Sequence, residues 1–209
     1  MTQLPDPLSR RDRQRQTREA LIFAARSVFA EDGFHAASLD RIAREAGFSK
    51  GAVYSNFEGK SGLFLAVMDA NLELAEADLD DPFERTSNPA STGKDVAERE
   101  GYPPGATQGF ALATLEFIAS AARDETVAAQ LHERLAAVLA YYSAIAQKGR
   151  ADDETLTVSE VGTLLAALDQ GAGLILLAGD IAPDPDLFNA GMRRLVDPAR
   201  ALTERAPEA

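Results

Sequence analysis

The chain has 209 residues, 45% of them hydrophobic, with neither Trp nor Cys. That length and apolar content suit a sizeable buried core and exclude disorder as the default, while the missing thiols exclude disulfides, thiolate metal sites and thiol-based redox sensing. The formal net charge is −12, but residues 1–65 hold 10 Lys/Arg against 8 Asp/Glu, a net of +2, and residues 66–209 hold 11 against 25, a net of −14.

Met1 to Leu8 carries Asp6 and two prolines and no apolar core, so it does not read as a signal peptide. Residues 1–13 read as a basic arm. Arg10, Arg11, Arg13, Arg15 and Arg18 face only Asp12, which suits either phosphate contact by this end or a solvated arginine tail. A first helix is predicted over 14–32. Leu21, Ala24, Ala25, Val28 and Phe29 fall on one face, and Gly33 stands where a left-handed C-terminal residue would close it. Ser38 offers an N-cap to a short second helix with Leu39, Ile42, Ala43 and Ala46 on one side, ended by Gly47. Ser49 can cap a third helix on which Val53 and Phe57 share a side, and Gly59 breaks it. Phe48 and Phe57 are expected in the core. A fourth helix starts near Lys60 and runs through Leu63, Val67 and Leu74 to about Leu79.

Residues 81–105 change in composition, mixing Pro82, Pro89, Pro103 and Pro104 with small and charged residues. They read as a mobile loop, an insertion with one helical turn near Lys94–Arg99. Periodicity then returns, with Phe110, Ala113, Phe117 and Ala121 on one face and Val127, Leu131, Leu135, Val138, Tyr142 and Ile145 on the next. Two last helices are predicted over 157–179 and about 185–203. Gly162–Gly179 is the most apolar run, but Asp169 and Gln170 interrupt it, so it reads as a buried helix and not a membrane span. The expected protein is all-α and cytoplasmic, with no membrane association.

Three short helices with a glycine between the second and third follow the helix-turn-helix plan. Once Val53 and Phe57 are placed inside, the third helix turns Lys50, Gly51, Ala52, Tyr54, Ser55 and Asn56 outward. Such a slim polar helix can enter a major groove, where Asn and Lys read base edges and Tyr and Ser reach phosphates. The ordered set Phe29-Ala-Glu-Asp-Gly33, Ser38-Leu-Asp-Arg-Ile-Ala43, Ala46-Gly-Phe-Ser-Lys-Gly-Ala-Val-Tyr54, Asn56-Phe57 and Lys60 resembles the N-terminal domain of TetR-family repressors, over about residues 14–74. The resemblance implies that Ser38 and Leu39, at the head of the second helix, touch the phosphate backbone. It implies a DNA-facing surface of Ser49, Lys50, Gly51, Ala52, Tyr54, Ser55 and Asn56, and a further phosphate contact from Lys60. Helix N-termini with free N–H groups are anion sites, which agrees. Asn56 stands where the family often has His or Tyr, and Gly62 where an acidic residue is common.

The resemblance also implies that residues 75–209 form a helical domain for effector binding and dimerisation. The expected function is a sequence-specific transcriptional regulator: a homodimer joined through 157–203, bound to an inverted-repeat operator in double-stranded DNA and released as a repressor by a small-molecule effector. Gly162, Gly171 and Gly173 offer close helix approach, and Leu164, Leu165, Leu168, Ile175 and Leu176 apolar area, for a four-helix interface; filling of the monomer core is the other reading. Phe110, Thr114, Phe117, Tyr141 and Tyr142 lie on the middle helices, but aromatic stripes at helical spacing are usually core, so the ligand-binding residues stay unassigned. His35 and His132 make no convincing metal site, and no cofactor is expected. Two alternatives stand beside this: an architectural DNA-binding protein with no effector, and a small all-α enzyme. The enzyme lacks a nucleophile–base pair, a phosphate loop and a ligand cluster, and rests on chance pairing among 33 acidic residues.

Overall fold

The computed structural model describes residues 9–77, 106–151, 154–177 and 184–197. Those residues form eight α-helices and no strand. They are α1 (Arg10–Ala36), α2 (Leu39–Glu45), α3 (Lys50–Asn56), α4 (Gly59–Ala77), α5 (Ala106–Ala121), α6 (Glu125–Gly149), α7 (Val158–Leu177) and α8 (Pro185–Val196). The expected loop at 81–105 and the end of the last helix beyond residue 197 lie outside the described residues.

Helix α1 begins earlier than its apolar stripe. The Ser9 hydroxyl accepts from the Asp12 N–H at 3.2 Å and donates to the Asp12 carboxylate at 2.6 Å, which caps a first turn that buries nothing large. The helix breaks at Gly33, where φ is 76°. A Cβ there would lie 2.7 Å from the Glu116 carboxylate, a side-chain tip that can shift, so it is the positive φ that calls for glycine. Glu116, on α5, accepts from the His35 N–H just past the break at 3.0 Å.

Helices α2 and α3 have seven residues each, too few to be stable alone. Ile42, Ala43 and Val53 anchor them in the core. Between them, Gly47 adopts φ 77°, its N–H bonds Arg44 C=O at 3.1 Å, and the Phe48 N–H bonds Ala43 C=O at 2.8 Å. This paired closure satisfies the last carbonyls of α2. It also turns the Phe48 ring outward, to 39% exposure, so the expectation that Phe48 is core is corrected; Phe57 is buried as expected.

One apolar core runs without interruption from α1–α4 into α5 and Leu131 of α6. Its centre is a ring cluster: Phe64 stacks on Phe117 (4.6 Å between centroids) and on Phe110 (5.2 Å), while Phe34 meets Phe117 edge-on at 5.0 Å. Phe110 and Phe117 therefore join the N-terminal helices to the rest of the chain. Helix α5 lies directly on α1: a Cβ on Gly109 would sit 2.0 Å from the Ala30 carbonyl oxygen. Arg134 of α6 adds a pair to Asp69 of α4 at 3.1 Å.

A second core unites Tyr142, Ile145 and Ala146 of α6 with Val161, Leu165 and Ala166 of α7 and Val196 of α8. Two readings change here. Leu165, assigned to an intersubunit face, is buried within the chain. Gly162 makes its close approach to Ser143 of α6, whose backbone N lies 2.7 Å from the position of a Cβ. Gly171 and Gly173 have open space there. Among the described residues, no helix is long and apolar enough to cross a membrane.

Candidate nucleic-acid interface

Burial of Val53 fixes the rotation of α3. Lys50, Gly51, Tyr54 and Ser55, at i, i+1, i+4 and i+5, then form one exposed strip. Tyr54 is its largest member and is 58% exposed. Ser55 Oγ donates back to the Gly51 carbonyl at 2.6 Å, leaving its lone pairs outward. Lys50 Nζ donates to Asp40 Oδ2 at 2.8 Å, which draws the start of α2 to the start of α3 and raises the Lys50 pKa.

Ser38 and Ser49 stand at the N-caps of α2 and α3 in extended conformation. Neither side chain makes a capping bond, and both residues are exposed. Of the expected set, six residues therefore face outward: Ser38, Ser49, Lys50, Gly51, Tyr54 and Ser55.

The other four are half-buried. Leu39 and Ala52 pack against the first core. Asn56 donates through Nδ2 to the Ala52 carbonyl at 2.8 Å. Lys60 reaches back over the Phe34 ring and donates to the carbonyls of His35 (2.8 Å) and Ala37 (3.2 Å). Burial lowers its pKa, against the pull of Glu116.

Three residues that matter here lie outside the expected set. Asp40 is the partner of Lys50. Arg44 is exposed one turn further along α2. Arg18, counted with the basic arm, instead braces α1 against α3: it donates to the Asn56 carbonyl at 3.1 Å and lies 4.5 Å over the Phe57 ring. Arg15 is shared between Asp12 and Glu19 at 4.0 and 3.7 Å, in exposed pairs worth little. Arg10, Arg11 and Arg13 are exposed and have no ion pair among the described residues.

The bacterial regulatory proteins of the tetR family provide a family model that matches residues 21–67, the span of these helices. The HTH-type transcriptional activator FasR of Mycolicibacterium smegmatis is 41% identical over 58 residues, 28% of this chain and 26% of FasR. The chain thus spans about a quarter of that relative's length. The fold extends further than the sequence likeness. A TetR-family regulator from Rhodococcus sp. superposes with a TM-score of 0.62 over 86% of this chain and 95% of its own, at 20% identity. A transcriptional regulator, FadR, from Bacillus subtilis in complex with stearoyl-CoA gives 0.59 over 85% and 97%, at 17% identity.

Proposed function

We propose that this chain, whose residues 21–67 match the model of the tetR family of bacterial regulatory proteins, is a cytoplasmic, non-enzymatic, sequence-specific DNA-binding transcriptional regulator of that family. The observation that carries this is the α3 strip: a cation, a phenol and a hydroxyl on a helix whose other face is locked into the core by Val53. The strip enters the major groove of an inverted-repeat operator, with Ser38, Ser49 and the arginines that open α1 on the flanking phosphates.

The regulator acts as a homodimer through its last helices and as a repressor released by a small molecule bound in the helical body. FadR, of similar fold, is found with stearoyl-CoA, which supports a small-molecule effector without naming this one. FasR is an activator, and that favours activation as the second reading, set by where the operator lies relative to the promoter.

The test is selection from a randomised duplex library by the full chain, followed by anisotropy titration of the recovered duplex. An inverted repeat should be enriched, and Tyr54→Ala should cost about 1–3 kcal/mol of affinity for it. Recovery of no preferred sequence would sink the proposal. Titrating candidate effectors into the complex then checks release, with an expected loss of about 5- to 150-fold in affinity.

A further inference from the structure

Lys50 is the one ionised side chain on α3. Its ammonium is held by Asp40, and the side chains of the pair are 48% and 61% exposed. An ion pair so exposed adds little to stability. The neighbouring carboxylates are otherwise engaged, since Glu31, Asp32 and Glu45 all bond to Arg41. Asp40 is thus the acidic group left to meet Lys50, at the entrance to the exposed strip.

Two consequences follow from the chemistry of the pair. Its charges cancel, so Lys50 gains little from bare phosphate. Its geometry also places the ammonium: one N–H is used by Asp40, and two stay available at a defined position. Acceptors that such an ammonium fits are the O6 and N7 edge of guanine.

We propose that Asp40 is a specificity-determining positioning residue: it holds Lys50 at the groove edge of α3 and withholds it from non-specific phosphate contact. This rests on the DNA-binding reading above. Asp40 is acidic on a surface that meets a polyanion, so it weakens binding to all DNA while sharpening the choice among sequences.

The experiment uses the full chain, as wild type, Asp40→Asn, Lys50→Met and the double variant, with Asp40→Ala as a second substitution if Asp40→Asn does not fold. Each is titrated by anisotropy, across a range of KCl, against the library-selected duplex and a scrambled duplex of the same composition. In D40N the scrambled duplex should bind about three- to tenfold tighter at about 0.15 M salt, with the log–log salt slope steeper by about one unit. The preference for the selected duplex should fall about tenfold. Lys50→Met should lose a similar preference, and adding D40N to it should cost no more. An equal gain on both duplexes would show only a general charge effect and overturn the proposal, as would unchanged affinities. A wild-type chain that prefers no duplex would instead overturn the DNA-binding reading itself.

Discussion

Burial holds the Asp169 carboxyl above the ordinary carboxylate range, against the opposing pull of hydrogen bonds from the Tyr142 hydroxyl and the Gln170 amide. The same burial raises the Tyr142 hydroxyl. Asp169 thus ties α7 to α6 as an acid without a cationic partner among those bonds. A carboxyl whose folded pKa is raised binds its proton more tightly in the native state than in the unfolded one. Its cost to stability is absent below the ordinary carboxylate value and fully present above the raised one. Asp169→Asn should therefore gain on the wild type as the pH rises from about 4 to about 7. Urea unfolding at a series of pH values measures this, and curves that run parallel throughout would refute it.

Residue by residue, what could be read ahead was what local periodicity controls. Lys50, Tyr54 and Ser55 are outward because Val53 is inward, and that follows from spacing alone. Lys60 and Arg18 were harder. Lys60 bonds carbonyls 25 and 23 residues away, and Arg18 reaches one 38 residues away. No pattern within a single helix encodes such partners. Phe48 misled for a different reason: its backbone N–H closes the turn after α2, and that duty decides where its ring goes.

The helices themselves were legible where an apolar stripe existed and less so where it did not. The first two turns of α1 are arginine-rich and exposed, so only the Ser9 cap marks their start. Leu135 fits the stripe of α6 by spacing yet is 43% exposed, because α6 lies between two separate cores. Helix contacts set by glycine are the most sharply defined. Gly109 meets the Ala30 backbone and Gly162 the Ser143 backbone, neither of which can move aside as a flexible side-chain tip would. Gly109→Ala and Gly162→Ala should each destabilise the chain by about 1–3 kcal/mol through overpacking. Gly173→Ala, with open space at its Cβ and on the side of α7 away from Leu164 and Leu168, should gain up to about 1 kcal/mol from helix propensity. Thermal melts of the three variants check the order, and a neutral Gly109→Ala would contradict the α1–α5 approach.

At the scale of the whole molecule, α7 has a face that the other described residues leave exposed. Val161, Leu165 and Ala172 are buried, whereas Leu164, Leu168 and Ile175 are exposed. With Gly171 these last fall at i, i+4, i+7 and i+11, one stripe along the helix. Exposed Leu187 of α8 adds to the apolar area of this end, and the side chain of Leu176 lies outside the described residues. Water is a poor partner for such a stripe, and a second copy is a good one because an isologous contact repeats the same patch against itself. A dimer has a further use here. One seven-residue reading helix touches few base pairs, and two of them held about 34–36 Å apart read successive major grooves. Loss of the dimer should then cost operator affinity at least about 100-fold, since the second head no longer binds at high effective concentration. Leu164→Glu and Ile175→Glu, at 43% and 42% exposure, should leave the helical content intact and give monomers by sedimentation equilibrium. Affinity for the scrambled duplex, a property of each head alone, should change far less than affinity for the selected one. Two well-folded dimeric variants would move the interface off α7, and a monomeric variant with full operator affinity would remove the need for a dimer in recognition.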